Sequence, residues 1–224
     1  MTAGLLTAAP RTRRPSRWLA AALLPVGPAA IAVLRLVIPY DTTDSPAAAV
    51  AKVAADPDAM SLAVWLGLVG MLTMVPAVLW VAGLTRAAAP RTTAAAVLLL
   101  VPAYLSLGVL LSGDAVLLFG VREGLPDGVT AQLFDGASVH PAIAVAGLVF
   151  IVGHVFGTVL LGVAMWSSRA VPRWAAVATL VSQPLHFVAA VVIVSHPLDL
   201  VAWGLNAAGF AAAAIALLRQ PPAE

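Results

Sequence analysis

The chain has no cysteine. Disulfides, iron–sulfur clusters, thiolate zinc sites and cysteine nucleophiles are therefore excluded. Charge is scarce as well. Asp, Glu, Lys and Arg together make up 10% of the residues, where a soluble domain carries about 25%. So few charges cannot cover the exterior of a compact soluble globule. Lysine occurs once, at Lys52, and tyrosine only at Tyr40 and Tyr104. No H-E-x-x-H, G-x-S-x-G, Walker or Rossmann pattern is present, so intramembrane metalloproteases and serine proteases lack their motif here. The net charge of +2 does not point to nucleic acid, because the positive residues fall at the ends of apolar segments.

What is present is apolar. Hydrophobic residues are 62% of the 224, arranged in six stretches: about 18–40, 61–84, 93–112 (with an extension toward Gly120), 141–166, 175–194 and 200–218. A membrane span needs about 20 mostly apolar residues, and each stretch meets that length. The expected fold is all-α: a polytopic bundle of six transmembrane helices over 18–219, between a basic tail (1–17) and a short C-terminal tail (220–224).

Basic residues set the expected sidedness. One side holds Arg11, Arg13, Arg14, Arg17, Arg86, Arg91, Arg169, Arg173 and Arg219; the other holds Lys52 and Arg122. The side rich in Lys and Arg is cytoplasmic, which places both termini inside. Acidic residues gather on the other side: Asp41, Asp44, Asp56, Asp58, Glu123, Asp127, Asp135 and Asp199. Trp18, Trp80, Trp166 and Trp174 fall near the inner boundary, and Tyr40, Trp65 and Trp203 near the outer one, the depth that amphipathic rings favour. Arg13-Arg14 faintly resembles a twin-arginine signal. The apolar segment that follows exceeds twenty residues, against about 7–15 for a secretory signal, so it is read as a retained span.

Two outer loops are longer than the rest. The first contains Pro46 to Ala55, expected as a short helix capped by Asp44 or Ser45 with Pro46 in its first position. The second, 121–140, holds Gly124, Pro126, Asp127, Gly128 and Gly136, all turn formers. Spans two and three also echo spans four and five. Ala89-Pro90-Arg91 matches Val171-Pro172-Arg173, and a shift of 82 sets Pro102 on Pro184 and Tyr104 on His186. A parallel repeat of this kind predicts a core of spans two to five, with spans one and six outside it.

Ionisable groups within spans are functional candidates because an apolar solvent makes them costly. Arg35 and Asp114 are two such groups, and a pair between them requires spans one and three to adjoin. His140 and His196 flank the outer ends of spans four and five. His154 and His186 lie deeper in the same spans, at depths within one helical turn of each other at about 1.5 Å per residue. Two facing imidazoles suit haem iron, zinc or copper. His154 and His186 are therefore candidate axial ligands of a single haem b, with Gly153 and Gly157 leaving room beside His154. His140 and His154 share a face, as in the two-histidine helices of membrane b-type cytochromes, whereas His186 and His196 do not. The bland alternative is that each histidine hydrogen-bonds a neighbour such as Ser182, Gln183 or Thr158, and that Gly153-x-x-x-Gly157 is only a packing motif. Few carboxylates are in sight to orient the rings. No metal ligand set and no catalytic residue is assigned.

Tyr104, Asp114 and Asn206 are the further cavity candidates, and Pro25, Pro28, Pro76, Pro102 and Pro184 are expected to kink their helices. The leading expectation is a binding or accessory protein, without demonstrable enzymatic activity, whose bundle takes a small or lipidic molecule. A haem-binding redox protein and a small proton-coupled transporter using Asp114 or His186 are the alternatives. The expected partners are the bilayer and either another membrane protein or a second copy of the chain.

The run from Leu160 to Ala176, with Arg169-x-x-Pro172-Arg173-Trp174 at its centre, resembles a hairpin of uncharacterised six-span membrane proteins of actinobacteria. The resemblance covers mainly 140–220. It implies a six-helix fold in a bacterial cell membrane and carries over no functional residue.

Overall fold

A computed structural model describes residues 17–220, apart from the side chains of 137–139. The basic tail with Arg11, Arg13 and Arg14, and residues 221–224, lie outside the described residues. Every regular element among them is a helix: α1 (Arg17–Leu23), α2 (Val26–Val37), α3 (Pro46–Ala55), α4 (Pro57–Thr85), α5 (Pro90–Arg122), α6 (Asp127–Val139), α7 (Pro141–Ser168), α8 (Arg173–Phe187), a π-helical turn (Val188–Val192) and α9 (His196–Arg219). Six segments are long and apolar enough to cross a membrane: Arg17–Val37, α4, α5, α7, Arg173–Val192 and α9.

The boundaries follow from local chemistry. Proline, which lacks an N–H and has a preset φ, opens α3, α4, α5 and α7 near their first position. Ser45 Oγ accepts from Ala48 N, Asp56 from Ala59 N, and Ser195 from Leu198 N, each satisfying an orphan donor of a first turn. The α3 helix and its Ser45 cap match the expectation. Pro25 interrupts the first span, so α1 and α2 are separate helices. Pro184 withdraws a backbone donor inside α8, and the chain widens soon afterwards into the π turn. Val194 then adopts φ 55°, a strained left-handed conformation for a β-branched residue.

The spans form a closed ring in chain order. Each packs on its sequence neighbour, and α2 closes the circle against α9. Arg17 donates to the Gln220 carbonyl, which brings the two described chain ends together at one end of the bundle, here called the proximal end. The ring overturns the expected four-helix core. The first and last spans are the most buried of the six, half of each lying inside. The physical reason is side-chain size. Ala212, Ala213 and Ala214 are buried on α9, and Gly209 faces α8 so closely that a Cβ there would lie 2.0 Å from Thr179 Oγ1. Small residues let helices approach closely.

The second outer loop is also corrected, since 127–139 is helical despite Gly128 and Gly136. Packing overrides propensity here. Thr130 is buried against Gly120, and Phe134 meets Tyr40 edge-on at 6.1 Å.

Candidate functional site

A chamber of about 590 Å³ lies within the ring, in the half away from the chain ends. Its lining runs from the loop residues Tyr40, Thr42 and Asp44 at the rim to His154 and Trp203 at depth. The walls are mostly apolar, with Ile31, Leu34, Leu107, Leu110, Phe150 and Val191 among them.

Three ionisable side chains from three spans converge beside it. Asp199, in the first turn of α9, is 1% exposed. Its Oδ2 accepts from Arg35 Nε of α2, and its Oδ1 from His186 Nδ1 of α8, both at 2.5 Å. Arg35 also donates to Thr42 Oγ1 at 3.0 Å. The carboxylate therefore balances the guanidinium and orients the imidazole at once, as buried charges require.

His154 belongs to the same cluster. A carbonyl can only accept, so His154 Nδ1–H donates to Phe150 O, one turn back on α7, at 2.6 Å. His154 Nε2 is buried without a hydrogen-bond partner, as is Trp203 Nε1. The His154 and His186 ring centres are 5.5 Å apart and their planes 57° apart. Trp203 lies 5.5 Å from His186 and 6.3 Å from His154.

Arg35 and Asp114 do not pair with each other. Helices α2 and α5 do not pack on each other, Arg35 is taken by Asp199, and Asp114 accepts from the Tyr40 hydroxyl at 2.5 Å. Tyr40, in the loop after the first span, has its pKa raised well above the ordinary value by burial and then by the adjacent Asp114 carboxylate. Asp114 lines the chamber; Tyr104 and Asn206 do not. Tyr104 is buried on α5 against Thr158 of α7. Asn206 is buried on α9 with neither amide atom partnered. Gly153 and Gly157 pack α7 onto α5, where a Cβ on Gly153 would lie 2.6 Å from Leu99 O. His140 is exposed and caps α7, its Nδ1 accepting from Ala142 N. His196 Nε2 lies 3.0 Å from Asp41 Oδ1. Trp203, expected at the outer boundary, is 2% exposed and interior.

Sequence reasoning missed Asp199 as a site residue. A signal for it exists: His196, Asp199, Trp203, Asn206 and Phe210 recur at helical spacing, and the last four are all buried.

Among the described residues, no group of three His, Cys, Asp or Glu is placed to hold a metal ion. Family models, curated proteins and solved structures were each compared with the chain, and none matches it.

Proposed function

We propose that this chain is a multi-pass protein of a bacterial cell membrane, with both termini cytoplasmic, whose chamber binds a small amphiphilic molecule from the outer side. The convergence of Arg35, Asp199 and His186 on one chamber carries the reading. Apolar walls with a few convergent polar groups are the usual make-up of a ligand site, and ionisable groups at membrane depth mark function. The polar end of a ligand meets the remaining Arg35 donors, Trp203 Nε1–H and the imidazoles; the apolar walls take the rest. The nine-to-two arginine and lysine asymmetry supports the sidedness. Native mass spectrometry of the protein extracted from its own membrane tests the reading. A bound small molecule, lost in H186Q and R35Q, is expected; no adduct, or one retained by both variants, contradicts it.

A second reading rests on the tautomers. Both Nδ1–H groups are anchored, one by a carboxylate and one by a carbonyl, as in metal-bound histidines, leaving two Nε2 lone pairs. A metal about 2.0 Å from each nitrogen sets trans ring centres about 6.3 Å apart and tetrahedral ones about 5.1 Å apart. The observed 5.5 Å lies nearer the second, so a haem requires α7 and α8 to part slightly. A haem band in the reduced-minus-oxidised spectrum, absent in H154A and H186A, is the expected outcome of this reading. No band after expression with added haem ends it.

A further inference from the structure

At the proximal end a second cavity, of about 760 Å³, lies between the end of α4, the α7–α8 turn and the end of α9. Leu84, Ser168, Arg169, Trp174, Ile215 and Arg219 are among its lining residues. Arg169 closes α7 in a left-handed conformation, φ 55°, and Arg219 stands in the last turn of α9. Neither forms an ion pair among the described residues, where the pairs involve Arg35, Lys52, Arg122, His186 and His196. The spans' proximal ends and turns carry Arg17, Arg86, Arg91, Arg169, Arg173 and Arg219, and no Asp or Glu among the described residues. Arg17 is engaged by the Gln220 carbonyl, and the Arg173 guanidinium stacks 5.2 Å from the Trp166 ring centre.

We infer that this cavity is a binding site for the phosphate headgroup of an anionic phospholipid. Arg169 and Arg219 face the phosphate. Ile215, 52% exposed, and Leu84 continue the site as an apolar surface for an acyl chain. Trp174, 58% exposed, lines it, as suits an indole in the headgroup region. Basic pockets between spans take anionic headgroups through such charge complementarity. The inference is independent of the ligand in the other chamber.

The test is thermal unfolding of the delipidated full-length protein with added phosphatidylglycerol, phosphatidylcholine of the same chains, or inorganic phosphate. Saturable stabilisation by phosphatidylglycerol alone is expected. R169Q/R219Q should weaken it about tenfold or more, and R86Q/R91Q, altered at the same end but outside the cavity, should not. Equal stabilisation by phosphatidylcholine, an effect of free phosphate matching that of the lipid, or an unchanged response in R169Q/R219Q overturns the inference. If R169Q/R219Q does not fold, native mass spectrometry of the wild-type protein in an equal mixture of the two lipids decides. Enrichment of phosphatidylglycerol supports the site, and equal occupancy overturns it.

Discussion

His186 Nδ1–H donates to Asp199 across the α8–α9 seam, and the same carboxylate holds Arg35 of the first span. One side chain thus joins three spans. Removing it leaves a guanidinium and an imidazole without their acceptor in a largely buried place. Breaking a buried pair by deleting one partner costs about 3–5 kcal/mol. D199A is expected to lose stability of that order in detergent unfolding, and D199N less, because the amide oxygen still accepts one bond. Wild-type stability in D199A would show that the triad does not hold the spans together.

The α5–α7 seam depends on close approach. G153A puts a methyl group against the Leu99 carbonyl and is expected to cost about 1–3 kcal/mol. Gly147, on the same helix, has nothing within 4 Å of the added Cβ, so G147A should be neutral or slightly stabilising. The comparison of the two melting temperatures checks the register of α7.

The Tyr40 phenol should resist ionisation. Its folded pKa is raised by burial and by Asp114, so this contribution to stability is fully present below the unfolded value of about 10 and is lost as pH rises through the folded one. In Y104F, where Tyr40 is the only tyrosine, phenolate absorbance should emerge above pH 10. D114N should move it back toward the ordinary value. An ordinary titration in Y104F would contradict the Tyr40–Asp114 contact.

The six long apolar helices were legible because span length is a one-dimensional signal. Proline and serine at 45–46 marked α3 for the same reason. The ring order was not legible, since it depends on which small residues meet: Gly209 on Thr179, Gly153 on Leu99. The α6 helix was hidden by glycines whose low propensity is offset by tertiary packing. At the site, depth arithmetic brought His154 and His186 together, yet their orienting carboxylate was assigned to a loop. Asp199 falls three residues after His196, and only the helical spacing that continues through Trp203 and Asn206 shows that it turns inward.

The proposed function requires that the chamber beside Arg35, Asp199 and His186 be reached from the side opposite the chain ends. The cysteine-free chain allows a direct measurement. Single cysteines are placed at Leu110, in the chamber wall, and at Leu98, 74% exposed on the outside of the ring. A membrane-impermeant thiol reagent is then added to intact cells with an accessible outer face. Labelling of L110C but not L98C is the predicted result; protection of L110C, or its labelling only after the cells are opened, would contradict it.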